Sequence, residues 1–279
     1  MNWYTFEGKI LPLDKWIQDG VDILVENYRD IFQIAKIPIE ESLEGINWAL
    51  NAINPWLIIL FFAVVTWKFA GRITTVFTIF TFVLVGLLGL WSETMTTLAM
   101  VVVAVIFCAI VGIPLGIASA RSDRFEAYLR PLLDTMQTTP AFVYLVPVVM
   151  LFSIGTVSGV IATIVFAMPP IVRLTNLGIR QVHPELVEAG EAFGATSTQV
   201  LIQIQIPQAW PSIMAGLNQT IMMAISMVVI AALIGAGGLG MPVFQGLNNL
   251  DIGLATIGGI GIVLLAMVLD RITQGMVSK

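Results

Sequence analysis

The chain has 279 residues and a net charge of −5, with 57% of its residues hydrophobic and only 11% charged. An ordinary soluble domain carries about 25% charged residues, so that class is excluded, and with no basic patch to rest on so is nucleic-acid binding. The single cysteine, Cys108, lies in an apolar run; it excludes an intrachain disulfide and a thiolate metal cluster and reads as a small buried hydrophobe.

Residues 1–50 carry the whole negative excess: Lys9, Lys15, Arg29 and Lys36 stand against Glu7, Asp14, Asp19, Asp22, Glu26, Asp30, Glu40, Glu41 and Glu44. No cleavable leader is expected there, because the segment is acidic and lacks an apolar stretch ahead of a small-residue cleavage site. Leu13, Trp16, Ile17, Gly20, Val21, Leu24, Val25 and Tyr28 fall at helical spacing with acids opposite, and a weaker stripe, Ile39, Leu43, Ile46, Leu50 and Ile53, follows Pro38. Segment 1–52 is therefore an acidic amphipathic N-terminal segment. Such helices lie in membrane interfaces, but an acidic face suits anionic lipid poorly. Packing against another protein and a merely solubilising tail stay open. Trp3, Tyr4, Phe6 and Trp16 read as interface anchors rather than as an aromatic cage for a quaternary ammonium ion.

Apolar stretches of about 20 residues then recur, the length at which a helix crosses a bilayer core. The strand alternation of a membrane barrel is absent. The predicted fold is an all-α polytopic membrane protein with about seven transmembrane helices, near 54–70, 73–91, 94–118, 138–153, 158–177, 211–236 and 252–270. The fourth is short and holds Pro140 and Pro147. Proline inside a span kinks it, and broken spans are tolerated where neighbours or a water-lined path satisfy the backbone.

Orientation follows from Lys and Arg. Lys68 and Arg72 flank the first joint; Arg121, Arg124 and Arg130 occupy the third; Arg173 and Arg180 border the fifth; Arg271 and Lys279 follow the last span. The joints at 91–93, 153–157 and 237–251 have neither residue type. Seven spans put every basic joint on one side. The N-terminus is then outside, the C-terminus in the cytoplasm, and the joint 178–210 cytoplasmic.

That joint is the richest segment of the chain. His183-Pro184 precedes Glu185-Leu-Val-Glu188-Ala189-Gly190-Glu191-Ala192-Phe193. Proline suits a first helical turn and acids there complement the helix dipole. Gly194 falls where a left-handed cap would end the helix, and Ser197 or Thr198 can cap a second helix. The second helix is predicted to run through Val200, Leu201 and Ile204 and to stop before Pro207, lying under the membrane. Ala189, Ala192 and Ala195 keep the first helix slim enough for a partner to approach closely.

The spacing Glu-Ala-x₄-Gly-x₉-Ile-x-x-Pro resembles the EAA loop of permease subunits of type I ATP-binding-cassette importers. The family's second alanine is Gly190 here, and its leucine before the proline is Ile206. Asp134-Thr-Met-Gln-Thr-Thr-Pro140-Ala-Phe-Val-Tyr-Leu-Val-Pro147, Phe166-Ala-Met-Pro-Pro170 and Ser226-Met-Val-Val-Ile-Ala are similar to the glycine betaine/proline betaine permeases. The resemblance implies a type I ABC importer transmembrane domain over 93–273, preceded by two accessory transmembrane helices at 53–92. It implies that Glu188, Ala189, Glu191, Ala192, Gly194, Ala195 and Pro207 belong to the loop that docks on a cytoplasmic ATPase. It also implies a permease, not an enzyme, moving a quaternary-ammonium compatible solute across the cytoplasmic membrane. This chain is expected to bind no cofactor, with ATP and Mg on the partner ATPase. The implied partners are two ATPase subunits, a separate extracytoplasmic substrate-binding protein, a second copy of this chain and membrane lipid. Pro140, Phe142, Tyr144 and Pro147 near the broken span, with Met168 and Pro169 in the fifth, are candidates for the path lining; helix packing would account for the same residues.

Other motifs carry less. Gly235-Ala-Gly237-Gly-Leu-Gly240 matches G-x-G-x-x-G, but a dinucleotide site needs that turn between a strand and a helix; a bend at the outer gate suits it better. No Walker A lysine pattern occurs, and His183, the one histidine, cannot form a zinc site. An ion-coupled secondary transporter needs ionisable groups at mid-membrane, whereas the acids beyond the N-terminal segment fall in joints or at span ends. A channel would need a filter or charged ring, and none is apparent.

Overall fold

The computed structural model describes residues 12–277, and among them no strand occurs. Trp3, Tyr4 and Phe6 of the N-terminal segment, and Lys279, lie outside the described residues. The described segment begins with α1 (Leu13–Ala52), one 40-residue helix that carries both apolar stripes straight through Pro38. Pro38 sits on an exposed face, where water can serve the carbonyl its ring leaves unpaired, and Ser42 Oγ donates to the Pro38 carbonyl at 2.6 Å.

Two 16-residue helices, α2 (Pro55–Ala70) and α3 (Arg72–Leu87), form a hairpin through Gly71. Then comes α4 (Trp91–Arg121). The predicted fourth span, 138–153, needs correction. An amphipathic helix, α5 (Asp123–Thr138), turns by 106° into a 3-10 turn, Ala141–Tyr144, followed by α6 (Leu145–Phe152), only 8 residues long. Pro140 stops α5 because the residue before a proline is driven out of the helical region, and Thr139 is extended accordingly. The remainder, about 20 Å long, is short of a bilayer core of about 30 Å. The arginine-bearing joint before it is thus a helix, which hydrophobicity alone passed over.

Next come α7 (Thr156–Arg180), α8 (Pro184–Ala192), the single turn α9 (Ser197–Val200), a π turn (Leu201–Gln205) and α10 (Ile206–Ala231). The joint 237–251 holds a further helix, α11 (Gly240–Asn248), before α12 (Ile252–Val277). Among the described residues four helices are long and apolar enough to cross a membrane, up to six if each bent pair counts as one span; α3 is a shorter apolar helix. Each predicted span has a helical counterpart, but the count of seven is not fixed by these lengths.

The core is the packing of α4, α7 and α10, whose buried residues include Met100, Val103, Ala104, Val160, Ile171, Val172, Ala224 and Val228. Small residues set the spacing: Gly112 and Gly116 of α4 lie directly against Ile171 and Thr175 of α7. Close backbone approach of this kind drives helix association in lipid, where burial of apolar surface gains little. A second cluster joins α2 and α3 to α12 through Ile58, Phe82, Val85, Leu265, Val268 and Ile272.

Contacts sort the ends of the helices. Gly275 of α12 packs on Phe69 of α2, Gly178 of α7 on Ala209 and Ser212 of α10, and Arg180 reaches the Ser119 carbonyl of α4 at 2.9 Å. The basic joints therefore share one end. At the other end Leu239 N–H donates to Thr97 Oγ1 at 2.8 Å and Asn47 of α1 meets Thr96 at 3.3 Å. The C-terminal half of α1 crosses that end, with Leu43 buried in the main core. α12 continues past the predicted span, so Asp270 lies inside a helix rather than at its end. Its carboxylate accepts from Asn218 at 3.0 Å and Gln274 at 2.8 Å.

Candidate functional site: an exposed helical joint

The joint between α7 and α10 is held from above by charge. Arg180, in the last turn of α7, pairs with Asp123 at 2.7 Å and Glu126 at 3.0 Å. Asn176 donates to Glu126 at 3.0 Å, and Arg173 is bonded to Asp134. These contacts strap α5 along the end of α7, so the chain enters the joint from a fixed point.

Pro184 occupies the first turn of α8, as its sequence position predicts. At the other end Gly194 has φ +85°; its N–H donates to the Glu191 carbonyl at 2.9 Å, and Ala195 N–H to the Gly190 carbonyl at 3.0 Å. This paired closure is a Schellman motif, and the left-handed residue at its centre favours glycine. The following cap is corrected by one residue: Thr196, not Ser197 or Thr198, caps α9, in a reciprocal capping box with Gln199.

The second helix does not stop before Pro207. It runs unbroken from Ser197 to Ile234, 38 residues, and becomes a membrane-spanning rod. The π turn makes this allowable. Ile206 N–H bonds back five residues to the Leu201 carbonyl, and this widening admits a proline ring that a tight helix interior would reject.

The candidate docking residues come together on this joint. Glu188, Ala189, Glu191, Ala192 and Gly194 are exposed, Ala195 is half-buried, and Pro207 is exposed at the start of α10. No residue of α8 is buried. Glu185, Glu188 and Glu191 have no ion-pair partner among the described residues. At Gly190 α8 comes close to the π turn: a Cβ there would lie 2.6 Å from Ile204 Cδ1, so an alanine would require the end of that side chain to shift. Sequence reasoning passed over Phe193. It is 93% exposed at the tip of the joint, and a large aromatic residue immediately before a glycine cap was the available signal.

The path candidates separate into two groups. Pro140, Phe142 and Pro147 are exposed along the broken segment. Tyr144 beside them is half-buried, donating to the Met136 carbonyl at 2.6 Å and meeting Phe166 edge-on with ring centroids 6.2 Å apart. Met168 is half-buried against the main core and Pro169 is buried in α7, so Pro169 presents no surface in this conformation. The glycine run 235–240 makes a bend, with positive φ at Gly235, Gly237 and Gly238, at the end of the molecule opposite the joint.

Residues 112–278 match the family described as the binding-protein-dependent transport system inner membrane component. The chain is 50% identical over 271 residues to the glycine betaine/proline betaine transport system permease protein ProW of Escherichia coli (strain K12), covering 97% of this chain and 77% of that one. It is 42% identical to the glycine betaine transport system permease protein OpuAB of Bacillus subtilis (strain 168), covering 96% and 95%. Among solved structures, an inward-facing MetNI methionine ABC transporter is similar in fold, with a TM-score of 0.60 at 22% identity over 65% of this chain and 91% of that one.

Proposed function

The chain belongs to the binding-protein-dependent transport system inner membrane component family, and from that premise we propose that it is the membrane permease of an ATP-driven importer that takes up glycine betaine, proline betaine or a related quaternary-ammonium solute. The observation that carries the coupling role is α8. It is a locally capped helix with no buried residue, spliced between the two most closely packed helices of the core, α7 and α10. Such an element is a handle. Its outer face offers Phe193, Leu186 and three carboxylates to a partner, and its inner face rests on the π turn.

The rod Ser197–Ile234 spans about 57 Å, from this handle to the glycine bend at the far end. Displacement of α8 by the ATPase therefore reaches the opposite end through a stiff element rather than through a chain of loops. The basic end is cytoplasmic on the positive-inside rule, which puts the N-terminus outside beside the substrate-binding protein. Two copies of this chain would enclose the path between them. Phe142, Val146 and Pro147, exposed on the broken segment, are apolar side chains that a second copy and a passing solute would cover. ATP and Mg belong to the ATPase partner. The solute assignment rests on the named relatives.

The deciding experiment is uptake of labelled glycine betaine at raised osmolality in cells lacking their own betaine transporters, with the chain expressed together with its ATPase and binding protein, and without each. Uptake is expected only with all three. Uptake without the ATPase would overturn the importer reading; uptake of other solutes alone would overturn the betaine assignment.

A further inference from the structure

Away from the joint, at the same basic end, a groove of about 520 Å³ opens between the α2–α3 hairpin and α12, lined by Ala70, Ile73, Thr74, Phe77, Met267 and Arg271. Beyond Arg271, toward the basic end, the hairpin and α12 close on each other where Gly275 packs against the backbone of Phe69 and Ala70. The walls are apolar and turned outward: Ile73 is 88% exposed, and Met267 is exposed one helical turn below Arg271. Both helices are apolar along this face, so the slot opens sideways toward lipid.

Arg271 stands at the mouth. It is exposed and makes no ion pair or hydrogen bond among the described residues. Arg72, the first residue of α3 and the neighbour of Ile73, is exposed and without a partner in the same way. At the far side of the same end, Arg173 and Arg180 are matched by carboxylates; Arg121, Arg124 and Arg130 are also exposed and unpaired among the described residues, but they belong to α4 and α5 and do not line this slot. Two guanidinium groups are thus left unmatched beside an apolar slot. A guanidinium presents a planar fork of donors suited to phosphate oxygens. Basic pockets between spans at a membrane surface suit anionic headgroups. A soluble anion would leave the apolar walls unused, a zwitterionic lipid would leave the positive charge unbalanced, and a second copy of this chain carries its unpaired acids at this end, Glu185, Glu188 and Glu191, on the joint assigned to the ATPase rather than on a face that could enter the slot.

We propose that this groove binds one anionic phospholipid, its phosphate on Arg271 with Arg72 alongside and an acyl chain against Ile73, Phe77 and Met267. Because the walls come from both the hairpin and α12, the lipid bridges the accessory helices to the core.

The test uses the assembled transporter purified in mild detergent from membranes of phosphatidylglycerol and phosphatidylethanolamine, with retained lipid counted by native mass spectrometry. The parent protein should keep phosphatidylglycerol in excess of its share in the membrane. Arg271→Gln should lower that retention about five-fold, and Arg271→Lys should restore part of it. Thr74→Trp, which fills the slot without changing charge, should also lower it; should that variant fail to assemble, the glutamine and lysine pair decides alone. Equal phosphatidylglycerol retention in the parent and Arg271→Gln overturns the proposal. So does retention that mirrors membrane composition, or a change in oligomeric state in Arg271→Gln with lipid unaltered.

Discussion

Two of the breaks between the helices of this chain are closed in different ways. At the joint 181–196, backbone groups freed by the break find partners within a few residues: Gly194 N–H on Glu191, Ala195 N–H on Gly190, and Thr196 with Gln199 in a capping box. At the break 139–153 the backbone also closes locally, with Thr139 N–H on Thr135 and Ser153 N–H on Val149, but side chains from distant helices add to the closure. Gln33 of α1 donates to the Leu151 carbonyl at 2.9 Å, Phe32 meets Phe152 edge-on at 5.7 Å, and Tyr144 rests on Phe166. A break that closes itself can move as a rigid unit and leave its outer face free for a partner. A break closed by neighbours moves only when they move. The first is built as a handle and the second as part of a wall.

The contrast can be broken most sharply at Phe193. Almost wholly exposed, it contributes nothing to packing within the chain, so Phe193→Ala should leave membrane insertion and thermal stability unchanged. A buried aromatic anchor at an interface is worth about 2 kcal/mol or more on truncation. ATPase association, and uptake with it, should then fall roughly 30-fold. Normal binding of the ATPase by this variant would show that the tip of the joint is not a docking surface.

Gly194→Val tests the closure instead of the contact. A β-branched residue held at φ +85° costs about 1–2 kcal/mol in backbone strain, enough to open the cap. Uptake should drop about tenfold with the chain still inserted. Tyr144→Phe, at the other break, should behave differently. It removes one buried-side hydrogen bond to Met136, worth about 1 kcal/mol. The loss should appear as a lower thermal unfolding midpoint in detergent, with ATPase binding untouched. Were Tyr144→Phe to weaken ATPase binding as well, the two breaks would be mechanically one.

The same division explains what could be read from the sequence. Pro184, Gly194 and the Glu-Ala start specify the joint by local chemistry, so α8 and its glycine cap were legible residue by residue. The cap at Thr196 slipped by one position because three hydroxyl residues stand in a row. The run past Pro207 was hidden for another reason: a π turn is a change in hydrogen-bond register, with no composition of its own. The fold class followed from apolar length alone. By contrast, α5 looked like a charged joint because its acids find their partners on α7, through Arg173 and Arg180, far away in sequence. The clasp of α1 on α6 depends on Gln33 and Phe32, which no local pattern sets apart. Phe193 left only a faint signal, an aromatic side chain ahead of a glycine cap, because a displayed side chain fixes no element of the helix.

The smallest expected effect sits where this chain departs from its family's pattern. Alanine is the family's residue at position 190, and Gly190→Ala would ordinarily strengthen a helix by about 0.5–1 kcal/mol. Here the new methyl group would lie 2.6 Å from Ile204 Cδ1, the free end of a side chain that can turn aside, so the crowding falls at the low end of overpacking costs, about 1 kcal/mol. The two terms nearly offset, with the crowding slightly ahead, so Gly190→Ala alone should lower uptake by no more than about threefold. Ile204→Val removes the offending atom. Added to Gly190→Ala, it leaves only the helix gain on this contact, and the pair should recover parental uptake. A double-mutant cycle reports the coupling directly. If the two substitutions merely add, α8 does not rest on the π turn, and the joint could not transmit a push into α10 through this contact.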